Sequence, residues 1–151
     1  MSINTLSAAV LLGINKKLKV LDLKMPSLKK GQVLIKILYS GICRSQIMEI
    51  TGGRNNKKWL PHLLGHEASG VVSDIGPGVK KVKKGDEVIL SWIKSKGIDS
   101  EPIKFFHKKK KINAGKVTTF SNFSIVSENR ITRKSKNISL KNSVFLGCAF
   151  S

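Results

Sequence analysis

The stretch QVLIKILY, residues 32–39, sets Val33, Ile35, Ile37 and Tyr39 two residues apart, the period of a strand with one buried face. Further short apolar segments follow along the chain: SAAVLL, LKVLDL, SGVVSDIG, DEVILSW and VTTFSNFSIV. Between several of them stand Pro26-Ser27, Gly52-Gly53, Gly76-Pro77-Gly78 and Gly85-Asp86, residues whose backbone angles suit tight reversals. Helical character is confined to CRSQIMEI, residues 43–50, and to the tail from about Leu140. Many short strands joined in this way predict a mainly β fold, a barrel or sandwich with little helix. Residues 92–116 show no clear period and read as a long surface excursion with room for a weak hairpin.

A chain of 151 residues suffices for one domain with a core and is short for two. Its 28 basic against 9 acidic residues give a net charge of +19, a field that draws nucleic acid or anionic membrane. The basic residues are spread along the chain, however, with KKKK at 108–111 the one dense block. The few aromatics do not alternate with lysine as a base-stacking platform requires. The charge therefore reads as a solvated surface, not a nucleic-acid interface. AAVLLGI, residues 8–14, has no basic residue before it and no cleavage pattern after it, and is too short to span a bilayer. It reads as a strand of a cytoplasmic protein. Cys43 and Cys148, the only cysteines, offer no disulfide framework, as expected in a reducing compartment.

Several kinds of chemistry are excluded. No G-x-x-x-x-G-K-[ST] phosphate loop is present. Gly76-Pro77-Gly78 reads as a hairpin turn, because Lys81 stands where the third glycine of a dinucleotide fingerprint belongs. HEASG, residues 66–70, lacks the second histidine of a helical zinc-protease motif. Cys43, His62, His66, Glu67, His107 and Cys148 remain, side chains of the types that bind zinc, although buried inert cysteines and ordinary histidines are common. Pro61 and Gly65 argue against a helix that would pair His62 with His66, so His62 reads as structural and His107, beside the lysine block, as solvated.

GHEASGVVSDIGPGV, residues 65–79, fits in full the signature G-H-E-x-x-G-x-x-x-x-x-[GA]-x-x-[IVSAC] of the zinc-containing alcohol dehydrogenases. These belong to the medium-chain dehydrogenase/reductase family. Upstream, GICRSQ at 41–46 resembles that family's G-[IV]-C-x-[ST]-D segment, and downstream VKKVKKGDEV at 79–88 resembles its V-x-x-[VL]-x-x-G-D-x-V turn and strand. VTTFSNFSIVSENRI resembles its G-x-[FY]-x-E-Y-x-x-V element. FLGCAFS, at the end, resembles its [LI]-G-C-x-x-[ST]-T-G segment. The matches occur in family order across nearly the whole chain.

The resemblance implies that residues 1–151 form one GroES-like catalytic domain, a partly open barrel with short helices. It implies one catalytic Zn²⁺ held by Cys43, His66 and Cys148, with Glu67 able to approach the metal and exchange with water. Ser45 matches a hydroxyl that starts a proton relay, and Arg44 a contact to the cofactor pyrophosphate that competes with its reading as a surface arginine. Gln46 replaces the family's Asp, whose carboxylate orients the metal-bound histidine; a glutamine carbonyl that accepts the same N–H would carry no charge. No cysteines stand at 92–116, where many members bind a structural zinc, so none is expected. The family's nucleotide-binding Rossmann domain, with its NAD or NADP, would follow Ser151. The expectation is the catalytic part of an NAD(P)-dependent dehydrogenase acting on a small alcohol or carbonyl substrate, inactive until a Rossmann-type domain joins it in cis or in trans. A homo-oligomer is compatible with this reading. The competing reading is a basic, non-catalytic GroES-like module that binds nucleic acid or an acidic partner.

Overall fold

The structure, a computed structural model, describes residues 4–148. Its strands are β1 (Thr5–Leu11), β2 (Lys19–Lys24), β3 (Gln32–Ser40), β4 (His62–Leu63), β5 (Ala68–Ile75), β6 (Glu87–Leu90), β7 (Phe105–His107), β8 (Lys110–Ile112), β9 (Phe123–Ser127) and β10 (Ile131–Arg133). Two helices, α1 (Arg44–Thr51) and α2 (Leu140–Ser143), accompany them, with single 3₁₀ turns at Lys57–Trp59, Glu128–Arg130 and Val144–Gly147. Five strands form a curled antiparallel sheet in the order β10-β6-β5-β3-β9. β2-β1-β4 and β7-β8 form two smaller antiparallel sheets. Among the described residues no strand pair has the parallel βαβ connection of a nucleotide-binding domain. No helix is long and apolar enough to cross a membrane.

β3 lies inside the large sheet and is buried on both faces at its start. Val33 and Ile35 join Val72, Val88, Leu90, Val126 and Ile131 in one core, while Leu34 turns into a second core with Leu6, Val10, Leu23, Leu63 and Ile125. The strand period thus sorts neighbouring residues into two layers. It fails at one position. The β3–β5 register slips between Ile37 and Tyr39, and this bulge turns Tyr39 outward to 44% exposure, away from the face expected of it.

Residues 92–116 differ from a surface excursion. The β7–β8 hairpin packs against β2, and Ile103, Phe105 and Ile112 are all buried in the second core. The lysine block forms the turn of this hairpin with Lys108 and Lys109 and the exposed start of β8 with Lys110 and Lys111, so its charge stays in solvent while its flanks supply core residues. Glu128 ties the segment at Ile98 to the turn that follows β5. One carboxylate oxygen accepts the backbone N–H groups of Lys80 and Lys81, each at 2.7 Å, and the other that of Ile98 at 2.9 Å. Burial alone would raise the Glu128 pKa, but these three donors outweigh it and hold it below the usual glutamate range.

A depressed carboxylate pKa stabilises the fold above its unfolded value, and that stability is lost as pH falls through the folded value. Glu128→Gln leaves one buried N–H without an acceptor and is expected to cost about 2 kcal/mol at pH 7. In thermal unfolding followed from pH 7 to pH 3, the gap to wild type should shrink as the wild-type carboxylate gains its proton. A gap that is constant over this range would show that the charge is not involved.

Candidate metal centre

α1 begins immediately after Cys43, its N-cap, and the backbone N–H and hydroxyl of Ser45 are directed at the Cys43 sulfur. These donors hold the Cys43 pKa below the ordinary thiol value, against the opposing effects of burial and of Glu67. His66 is delivered by the turn into β5. Gly65 there has φ 94°, and a Cβ on it would lie 2.3 Å from Thr119 Oγ1, so only glycine fits. Cys148 follows the 3₁₀ turn at the end of the described chain. Gly147 sits so tightly against β6 that a Cβ would lie 2.5 Å from the Leu90 carbonyl oxygen, and Ser91 Oγ donates to its carbonyl at 2.7 Å.

These three deliveries converge. The ligating atoms of Cys43, His66 and Cys148 all lie within 4.8 Å of one another, and the two sulfurs are 3.9 Å apart. Two sulfurs bound to one tetrahedral ion at ~2.3 Å lie about 3.8 Å apart, so the pair is spaced for a shared metal. His66 Nε2 is buried without a hydrogen-bond partner, an orphan that a metal ion would satisfy. Burial and then the Arg54 charge lower the His66 pKa, keeping the ring neutral as a ligand must be. Burial, then the neighbouring Cys43, raises the pKa of Cys148, so the first thiol proton leaves Cys43. Two thiolates and an imidazole form a donor set suited to zinc.

A cavity of about 380 Å³ opens over the group, with Glu49, Arg54, Leu64, Trp92 and Val117 in its walls. Ser45 lines it too, its Oγ 3.3 Å from His66 Nδ1. Glu67 is buried beside the cluster but outside the group of three, and its charge raises the pKa of both cysteines. Arg44 is exposed on the first turn of α1. His62 lies in β4, not a helix, and both its nitrogens are engaged: Nδ1 donates to the Leu63 carbonyl at 3.0 Å, and Nε2 accepts from Asn56 Nδ2 at 3.2 Å. His107 donates Nδ1–H to the Asp22 carbonyl at 2.8 Å, which ties the β7–β8 hairpin to β2.

Residues 29–136 match the alcohol dehydrogenase GroES-like domain. The chain belongs to that family. An alcohol dehydrogenase of Geobacillus stearothermophilus is 36% identical to this GroES-like domain over 90 residues, 60% of the chain and 27% of the relative. By fold, the domain resembles an alcohol dehydrogenase zinc-binding domain protein from Burkholderia ambifaria (TM-score 0.84, 20% identity), covering 95% of this chain and 45% of that one. It also resembles CAD from Helicobacter pylori, solved with NADP(H) (TM-score 0.72, 25% identity), covering 97% of this chain and 46% of that one. The chain thus spans about a quarter of the curated relative and under half of the solved structures.

Sequence reasoning did not find the cavity walls. Glu49, Arg54 and Trp92 carry no motif; α1, the turn after it and the start of the 92–116 segment bring them to the cavity wall. Gln46 departs from the family pattern, and its amide does not sit as the resemblance implies. Its oxygen accepts the Cys43 backbone N–H at 3.0 Å, and its nitrogen, not its carbonyl, faces His66. The carbonyl is already committed to the helix cap.

Proposed function

We propose that this GroES-like domain is the zinc-binding catalytic part of an NAD(P)-dependent alcohol dehydrogenase, interconverting small alcohols and carbonyl compounds together with a Rossmann-type domain in cis or in trans. The convergence of Cys43, His66 and Cys148 under an open cavity carries this reading. Those three residues would hold zinc, with Glu67 as the neighbouring carboxylate. When bound, zinc supplies a Lewis acid that polarises the substrate oxygen and eases loss of the alcohol proton.

The chain's own groups do the rest. Leu64, Val117 and Trp92 shape the cavity and exclude water from a substrate carbon. Ser45 Oγ, on the cavity wall, accepts the alcohol proton as its own hydroxyl proton moves to water in the cavity, while Arg44 meets the cofactor pyrophosphate from the exposed end of α1. The positive His66 neighbourhood created by Arg54 favours the neutral ring that serves as a ligand.

Mixing the zinc-loaded chain with a separately produced Rossmann-type domain of an alcohol dehydrogenase tests this reading. NAD(P)-linked oxidation of simple alcohols should be at background for either part and rise at least tenfold for the mixture, and more than one mole of zinc per chain is not expected. A zinc-loaded mixture that stays at background with every partner domain and alcohol tried would count against an enzymatic role. Salt-sensitive binding of duplex DNA by the same preparation would turn the reading towards a basic binding module.

A further inference from the structure

Gln46 is 2% exposed, and its side-chain amide is wedged between the Cys43 backbone and the His66 ring. A backbone N–H can only donate, so the Cys43 N–H at 3.0 Å fixes the amide oxygen at that end. The amide nitrogen is then left facing His66 Nδ1 at 2.5 Å, with Ser45 Oγ at 3.3 Å. An amide nitrogen also only donates. Nδ1 must therefore be the acceptor, and the single proton of a neutral imidazole is placed on Nε2.

Nε2 is buried and without a hydrogen-bond partner, which makes it the ring nitrogen left for a metal shared with the two cysteines. Protonated, it has no lone pair to give a metal. Reversing the amide would let Nδ1 carry the proton and donate to the Gln46 oxygen. It would also set the amide NH₂ against the Cys43 N–H and remove the Gln46 half of the α1 capping box. One carboxamide has its acceptor at one end only, whereas a carboxylate of the same shape accepts at both.

We propose that Gln46 is a positioning residue that holds His66 in its non-ligating tautomer, so that metal uptake requires the Gln46 amide to reverse and the helix cap to open. The site is consequently a weaker, more readily emptied zinc site than its three ligands alone would make. This rests on the zinc reading above. Gln46→Glu keeps the shape, accepts from Cys43 N–H and His66 Nδ1–H together, and removes the conflict.

Long-range ¹H–¹⁵N spectra of ¹⁵N-labelled, chelator-treated chain report which His66 nitrogen carries the proton. Competition with a chromophoric chelator reports zinc affinity. The metal-free wild type should show the Nε2–H ring and Gln46→Glu the Nδ1–H ring, with zinc bound about tenfold more tightly by the variant. An Nδ1–H ring in the metal-free wild type, which requires no variant to observe, overturns the role of Gln46. Equal zinc affinities overturn it as well while leaving the metal site standing. Failure of both proteins to bind zinc overturns the metal reading itself and the proposal with it.

Discussion

Replacing His66 by alanine should strip the protein of stoichiometric zinc, and Cys43→Ser should do the same, while His62→Ala keeps it. The contrast follows from how the two histidines are spent. Both nitrogens of His62 are engaged within the protein, one on the Leu63 carbonyl and one on Asn56. His66 keeps a buried nitrogen without a partner, and its ring belongs with Cys43 and Cys148 to a group whose ligand atoms lie within 4.8 Å of one another. A catalytic zinc needs three protein ligands, and two thiolates without the imidazole leave the ion open on two sides.

The effect extends to stability, because a metal that binds only the folded chain stabilises it by mass action. Zinc at about a hundred times its dissociation constant adds ~2.7 kcal/mol, which for a domain of this size raises Tm by roughly 5–10 °C. Wild type and His62→Ala should show the rise in thermal scans; His66→Ala and Cys43→Ser should not. Metal retained at one mole per chain by Cys43→Ser would eliminate the proposed site.

Phe105→Ala should destabilise the fold by about 3–5 kcal/mol, a large part of a typical domain's total stability. Phe106→Ala, one residue along, should cost under about 0.5 kcal/mol. The two phenylalanines lie on opposite faces of β7. Phe105 is 2% exposed within the second core, and Phe106 is 45% exposed. Removing the buried ring leaves a void that Leu23, Leu34 and Ile125, held by their own strands, fill only in part. Urea unfolding of the two variants reads the difference directly. Equal small costs would mean that the 92–116 segment merely rests on the domain.

The strands were readable because their signal is local. Val33, Ile35 and Ile37 show their shared face within a few residues, and the glycine and proline turns that separate several of the segments stand next to them in the chain. The 92–116 segment was opaque for the opposite reason. Ile103 and Phe105 do alternate, but the run is too short to outweigh the lysines after it, and its partners in the core are strands from the other end of the sequence. The bulge that exposes Tyr39 was equally hidden, since register depends on β5, which the chain reaches only later.

The division is sharpest around the candidate metal centre. By itself the sequence determined the mainly β class, the G-H-E signature, and the residue types from which a zinc site is made. Each of these is a matter of local backbone preference or side-chain chemistry. Only the tertiary structure decided that Cys148 comes within 3.9 Å of Cys43 across 105 positions of sequence, because that depends on Gly147 lying flush against the Leu90 carbonyl. It also decided which end of the Gln46 amide meets His66. A hydrogen bond has a direction, and that direction is set by whichever neighbouring donor already holds the oxygen.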